Sequence, residues 1–405
     1  MRRAAYLIAL AGCVDTDLAG VERVEAVHLV DIDATGAGHY ELAPRELPEL
    51  EDLATLRGTR IAFVGRPRVE YSGDVDNVLC GSIDIAPSDL DLRLAVENGV
   101  AVPRDQRSLA MVSAYHELQF VFARAEEVTG ISRDDFRAGA MPVFFEPIIA
   151  DDSAQLDGKT NAFYEPCSDA FGLLRPSSAE GIALAFNAQV LAHELGHAYF
   201  QRTFFAADGE CTPDPSNLDN PSFTGRFSTE EDIAGLNEGF ADFFSFVLVG
   251  TTAVLNDTLG PGTFAGERAI APTIPNYVAF DGFAPECDQE FYCTGTELAR
   301  ALYEAYVADG HDPRDPAARA ALGREVVDAL RLLPAAMRSY TDDSALGPVT
   351  FAQAQCRRST GASSLAQFLR ALLEQLPAAR RPALCAALDR HFAVRFPDSS
   401  RGACL

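Results

Sequence analysis

Residues 187–200 read NAQVLAHELGHAYF and contain His193, Glu194 and His197 in the order H-E-x-x-H. In a helix the two histidines, four residues apart, leave the same face about one turn from each other. Two neutral imidazole nitrogens placed in this way can share one Zn²⁺ ion. A carboxylate directly after the first of them can take a proton from metal-bound water. A catalytic zinc site needs one more protein donor, so the rest of the chain has to supply a third ligand.

A helix is expected at the motif. Ser177 and Glu180 have capping-box spacing, and Ile182, Phe186 and Val190 carry an apolar face from there towards His193 and His197. Ser228 and Glu231 form a second capping box, which opens a helix that reads LNEGFADFFSF over residues 236–246 and stops near Gly250. On that helix Glu238 and Asp242 share a face, while Phe240, Phe243, Phe244 and Val247 supply apolar surface to bury. Glu238 beside His193 and His197 gives three protein ligands and leaves a fourth position for water, the composition of a catalytic site rather than a structural one. Asp242 can accept the free ring N–H of a histidine ligand, and His193 is the expected partner.

At these residues the chain resembles the gluzincin metallopeptidases, thermolysin and fungalysin type. The matching motifs are His193-Glu194-Leu195-Gly196-His197 and Asn237-Glu238 with Asp242, together with Asn161-Ala162-Phe163-Tyr164, which is similar to the strand that borders the substrate cleft in that family. The resemblance spans about residues 108–308. It implies an α+β fold, thermolysin-like, with a β-rich N-terminal lobe, a mainly helical C-terminal lobe and the zinc site in the cleft between them. It also implies a zinc-dependent peptidase, an endopeptidase being the expected type, that acts on a peptide or protein substrate. Glu194 would be the general base, and Asn161 and Ala162 would bind the substrate backbone as an added strand.

The chain departs from the family pattern in two places. About 40 residues lie between His197 and Glu238, longer than in the thermolysin type, so an inserted loop containing Cys211 is expected at the rim of the cleft. The segment Phe291-Tyr292-Cys293-Thr294-Gly295 stands where the family has an oxyanion-stabilising histidine in an H-x-x-x-G setting, and it has none. Tyr292 is the donor available in its place. The alternative this raises is a catalytically impaired zinc-binding scaffold, or a peptide-binding surface lipoprotein. A metzincin reading fails, because Phe200 and Thr203 occupy the positions that would need Gly and His.

Composition narrows the partners. The chain has 405 residues, 48% of them hydrophobic, and a formal net charge of −26, which argues against nucleic acid or an anionic membrane surface as partner. A solvated acidic surface is the plain reading of that charge, and calcium (Ca²⁺) binding is the other. Arg2 and Arg3 precede a short apolar run from Ala4, and Leu10-Ala11-Gly12-Cys13 resembles a lipobox. The expectation is an exported, membrane-anchored bacterial lipoprotein with Cys13 lipidated and no other contact with the membrane. The other eight cysteines are an even set, which favours disulfides in an exported chain, and Cys287 with Cys293 is the expected local bridge.

The organisation expected is a signal peptide and lipobox over 1–13, a tether or lead-in over 14–59, a β-rich N-terminal lobe over 60–200 that ends in the H-E-x-x-H helix, and a helical C-terminal lobe over 201–405. Within these, an amphipathic helix is read over Ser108 to Thr129, strands over Ile61 to Val64, Val143 to Ile149, Thr160 to Pro166 and Phe171 to Leu174, and helices over Thr296 to Ala308, Pro316 to Leu333, Ser364 to Leu376 and Ala379 to Phe392. His116 is read as a partly exposed or core residue, and His311 and His391 as surface or helix-end residues.

Overall fold

The longest helix of the sheet-rich part, α1 (Gln106–Thr129), begins where Asp105 accepts a hydrogen bond from the Ser108 backbone N–H at 2.7 Å. It ends at Gly130, whose φ of 66° is the left-handed conformation that closes many helices. The helix is buried on more than one side, for Met111, Tyr115, Leu118 and Ala125 are buried and so are Ser113, Glu117 and Gln119. It packs on the strand Ala26–Ile32 and also against three later helices, Ala188–Phe200, Thr229–Val249 and Pro316–Arg338. The computed structural model describes residues 26–32, 40–72, 82–88, 90–150, 162–165, 168–174, 184–205, 229–252, 290–338, 364–392 and Cys404.

The described strands form two sheets. The smaller has four strands in the order Tyr40–Arg45, Ala26–Ile32, Val100–Pro103, Leu94–Glu97. Part of the segment expected to be a tether is therefore built into the fold: Val27 and Leu29 are core residues, and Pro44 sits inside the paired strand opposite His28. These strands are short, and Pro44 falls inside one of them, which is why the sequence pattern did not reveal them. The larger sheet is centred on Ile61–Ser72, which pairs in parallel with Met141–Phe145. Ala170–Leu173 continues the sheet in parallel, and Ala162–Glu165 lies antiparallel at its end, with Ala162 opposite Leu173.

After a short helix α2 (Arg133–Phe136) and these strands, the chain becomes helical. The elements are α3 (Ala188–Phe200) with a π-helical turn over Gln201–Phe205, α4 (Thr229–Val249), α5 (Glu290–Ala308), α6 (Pro316–Arg338), α7 (Ser364–Gln375) and α8 (Arg381–His391). The molecule is thus α+β, with sheets in the N-terminal part and helices in the C-terminal part. One continuous apolar core runs from Val27 to Phe392 through both parts. A disulfide joins Cys385 on α8 to Cys404. The bridge expected from spacing is not addressed, since Cys287 and the side chain of Cys293 lie outside the described residues.

Three of the remaining histidines can be placed. His116 is half-buried, with Nδ1 3.5 Å from Glu117 Oε1. His311 stacks on Tyr306 with ring centroids 5.0 Å apart. His391, expected as a surface or helix-end residue, is at the end of α8 but buried, in contact with Glu297 through Nδ1 and 3.1 Å from Glu304 Oε1 through Nε2. Its partners come from α5, Glu297 being 94 residues earlier in the chain, so sequence spacing could not show them.

Candidate metal centre

Helix α3 starts at Ala188, later than the capping-box spacing suggests. Asn187 is extended, at φ −104° and ψ 99°, and its side chain accepts from the backbone N–H groups of Gln189 and Val190. A separate 3₁₀ turn covers Leu184–Phe186, so the apolar residues before Asn187 are not part of one continuous helix with the motif. Ser177 and Glu180 lie outside the described residues.

The helix is buried almost all round, and it meets α4 at very short range. The cause is Gly196, the fourth residue of the H-E-x-x-H motif, where a Cβ would fall 2.7 Å from Ala241 Cα. Side-chain volume at that crossing would push the helices apart. Beside the crossing Phe200 packs on Phe240 and Tyr199 on Phe244, with centroids 5.8 and 5.1 Å apart, and Ser245 Oγ donates to Gln189 O at 2.8 Å. The termination of α4 is as read from the sequence, at Gly250 with φ 91°.

This crossing brings His193, His197 and Glu238 together. The two Nε2 atoms are 3.0 Å apart, Glu238 Oε2 is 3.3 Å from His193 Nε2, and Oε1 is 3.7 Å from His197 Nε2. A tetrahedral ion with bonds of about 2.0–2.1 Å requires neighbouring ligand atoms roughly 3.3 Å apart. The three observed separations bracket that figure. Among the described residues, this is the one group of three or more His, Cys, Asp or Glu donors close enough to hold a metal ion.

The outer ring nitrogens decide which atoms are free to coordinate. His193 Nδ1 lies 2.9 Å from Asp242 Oδ1, and His197 Nδ1 lies 3.0 Å from Asn237 Oδ1. Oxygen acceptors at both Nδ1 positions favour the Nδ1–H tautomer, which leaves a lone pair on each Nε2. Two lone pairs facing each other across 3.0 Å, with a carboxylate opposite, repel in the absence of a cation. The donor set therefore fits a divalent metal ion. Asp242 is 0% exposed, so its charge is held in a site where solvent does little to screen it.

Glu194 follows His193 on the same buried helix and is itself buried. Ala162 opens the outermost strand of the larger sheet and is buried, and that strand packs against α3. Tyr164 on the same strand donates its hydroxyl to Asp169 Oδ1 at 2.8 Å, and burial together with that carboxylate raises its pKa well above the usual range, so the group stays a donor. Asn161 and Cys13 lie outside the described residues, as does the loop expected to contain Cys211.

Tyr292 is not on a loop ahead of a helix. Helix α5 begins at Glu290, so the segment Phe291 to Gly295 lies within its first two turns, while the side chain of Tyr292 is outside the described residues. The helix expected over Thr296 to Ala308 therefore starts six residues earlier, at Glu290. In the structure the glycine is a packing device within the helix. Asn237 is the residue whose function sequence reasoning missed. It was part of the motif beside Glu238, but only the fold shows that it faces His197.

Comparison with known proteins adds little to this geometry. No protein-family model matches the chain, and no curated protein does. Among solved structures it is similar to the precursor of protealysin, a metalloproteinase from Serratia proteamaculans, at 14% identity and a TM-score of 0.45, over 84% of this chain and 91% of that one. The functional reading accordingly rests on the site itself.

Proposed function

We propose that this protein is a zinc-dependent metallopeptidase. The observation that carries the proposal is the pair of Nε2 atoms 3.0 Å apart, each backed at Nδ1 by an oxygen and faced by the Glu238 carboxylate. His193, His197 and Glu238 would hold the ion. Two imidazoles and one carboxylate suit Zn²⁺, which when bound supplies a Lewis acid for a carbonyl oxygen and for water.

The chain's own residues divide the remaining work. Asp242 and Asn237 orient the two histidines and fix their tautomers. Glu194 accepts the proton of the attacking water and returns it to the departing amine, so one carboxylate acts as base and then as acid. The strand from Ala162, with no further strand on its outer side among the described residues, offers backbone groups to an extended peptide, and Asn161 precedes it. Tyr292 is the proposed donor to the developing oxyanion.

Sequence supports an exported location for this activity, through Arg2, Arg3 and the Leu10-to-Cys13 segment, and the Cys385–Cys404 bridge is of the kind that forms in oxidising compartments. Among the described residues no helix is long and apolar enough to cross a membrane, which is compatible with a lipid anchor at Cys13.

A second reading, a zinc-binding scaffold without turnover, is favoured by the absence of a histidine from Phe291 to Gly295. One experiment separates the readings. Purified protein is analysed for metal, then the zinc-loaded wild type and Glu194→Gln are assayed on a broad peptide library. The peptidase reading expects about one zinc per chain in both proteins and cleavage by the wild type alone. Zinc without cleavage in either supports the scaffold, and absence of metal overturns both.

A further inference from the structure

A second face of α4, next to the one that meets the motif helix, is also gripped by a glycine. A Cβ at Gly295 would lie 2.7 Å from Gly235 O, 2.7 Å from Gly239 N and 2.9 Å from Glu238 Cβ. The reciprocal contact is equally tight, since a Cβ at Gly239 would overlap Gly295 O and come within 2.9 Å of Gly295 Cα. Backbone lies directly against backbone here, with Glu238 Cβ as one wall of the contact. Rigid support stands behind Gly295, because Glu297, two residues on, is 1% exposed and is held by Arg300 at 3.0 Å and by contact with His391 of α8.

We propose that Gly295 is a positioning residue for the metal centre: its lack of a side chain sets the placement of Glu238 opposite the two histidines. The proposal rests on the reading of His193, His197 and Glu238 as the ligand set. Helix α4 makes two close glycine contacts, with Gly196 of α3 at Ala241 and with Gly295 of α5 at Gly235, Glu238 and Gly239. Glu238 is the residue between them that must meet both Nε2 atoms. An added methyl at 295 would press on the α4 backbone, and the close Gly196–Ala241 contact on the neighbouring face limits how far that backbone can shift. A methyl at 295 therefore acts on the Glu238 Cβ and on the direction of its carboxylate.

The test compares Gly295→Ala and Gly239→Ala with Gly323→Ala. Gly323 is the control for helix crowding away from the site, since a Cβ there would lie 2.5 Å from Val247 Cγ1 of α4 and 2.6 Å from Val128 Cγ1 of α1, side-chain contacts remote from Glu238. Zinc affinity is read by competition with a chromophoric chelator, urea unfolding supplies the stability of each variant, and the visible spectrum of the Co²⁺-substituted proteins reports ligand geometry.

The expected result is a zinc affinity lowered roughly 10–100-fold in Gly295→Ala and Gly239→Ala, with an altered Co²⁺ spectrum, and wild-type values for both in Gly323→Ala. Should Gly295→Ala fail to fold, Gly239→Ala decides. Wild-type affinity and spectrum in the folded variants overturn the positioning role while the zinc reading stands, and so does an equal loss in Gly323→Ala. A wild-type protein that binds neither metal overturns the ligand set itself and, with it, this inference.

Discussion

Asp242 Oδ1 lies 2.9 Å from His193 Nδ1, and the carboxylate that makes this contact is completely buried. A buried charge is costly unless something nearby uses it. Here the carboxylate orients one imidazole, and a cation held on the far side of the ring would offset the negative charge.

Removal of that carboxylate is therefore expected to weaken the metal centre without removing a ligand. Asp242→Ala should lower zinc affinity roughly 10–100-fold, with a parallel fall in peptidase activity at limiting zinc. Asp242→Asn, which keeps an oxygen acceptor at the same distance, should lose less. Chelator competition measures both, and equal affinity in wild type and Asp242→Ala would sink the assignment.

The crossing at Gly196 should be sensitive to a single methyl. Gly196→Ala places a Cβ 2.7 Å from Ala241 Cα, where main chain cannot step aside. Overpacking of this kind costs about 1–3 kcal/mol in stability. Urea denaturation gives the loss. Metal content should fall with it, because the histidines and Glu238 sit on the two helices forced apart.

The C-terminal bridge closes a loop with a sequence separation of 19 between Cys385 and Cys404. On loop-entropy grounds, Cys385→Ala with Cys404→Ala should cost about 3 kcal/mol, and reduction of the wild type should reproduce that loss. A double variant as stable as the oxidised wild type would show that the bridge contributes nothing to the folded protein.

Acid should release a contact between α5 and α8. Burial opposes ionisation of Glu304, but hydrogen bonds from Arg390 and the neighbouring His391 outweigh it, and the carboxyl titrates below its ordinary value. A depressed carboxylate contributes stability that is present above its unfolded-state pKa and is lost as the pH falls through its folded-state pKa. Glu304→Gln should thus be less stable than wild type at neutral pH, and the gap should close as the pH is lowered. A gap that stays constant from neutral to acid pH would mean that the ionised form carries none of the effect.

By itself, the sequence singled out the candidate residues of the site. His193, Glu194 and His197 follow from helical spacing, and Glu238 with Asp242 from the same spacing on a second amphipathic stretch, because a 3.6-residue period is a local property that a linear pattern preserves. Helix ends at Gly130 and Gly250 were legible for the same reason, since a positive φ selects glycine locally.

Other features were decided only by the tertiary structure. The strands from Ala26 to Arg45 are short, and they are stabilised by partners far along the chain, including Val100–Pro103. Asn237 is assigned to His197, and His391 to Glu297 and Glu304, across separations of 40 residues or more. Gly196 and Gly295 look like helix weaknesses in one dimension. In three dimensions they are two close approaches of neighbouring helices to α4, because the free space a glycine leaves has meaning only once the neighbouring helix is in place.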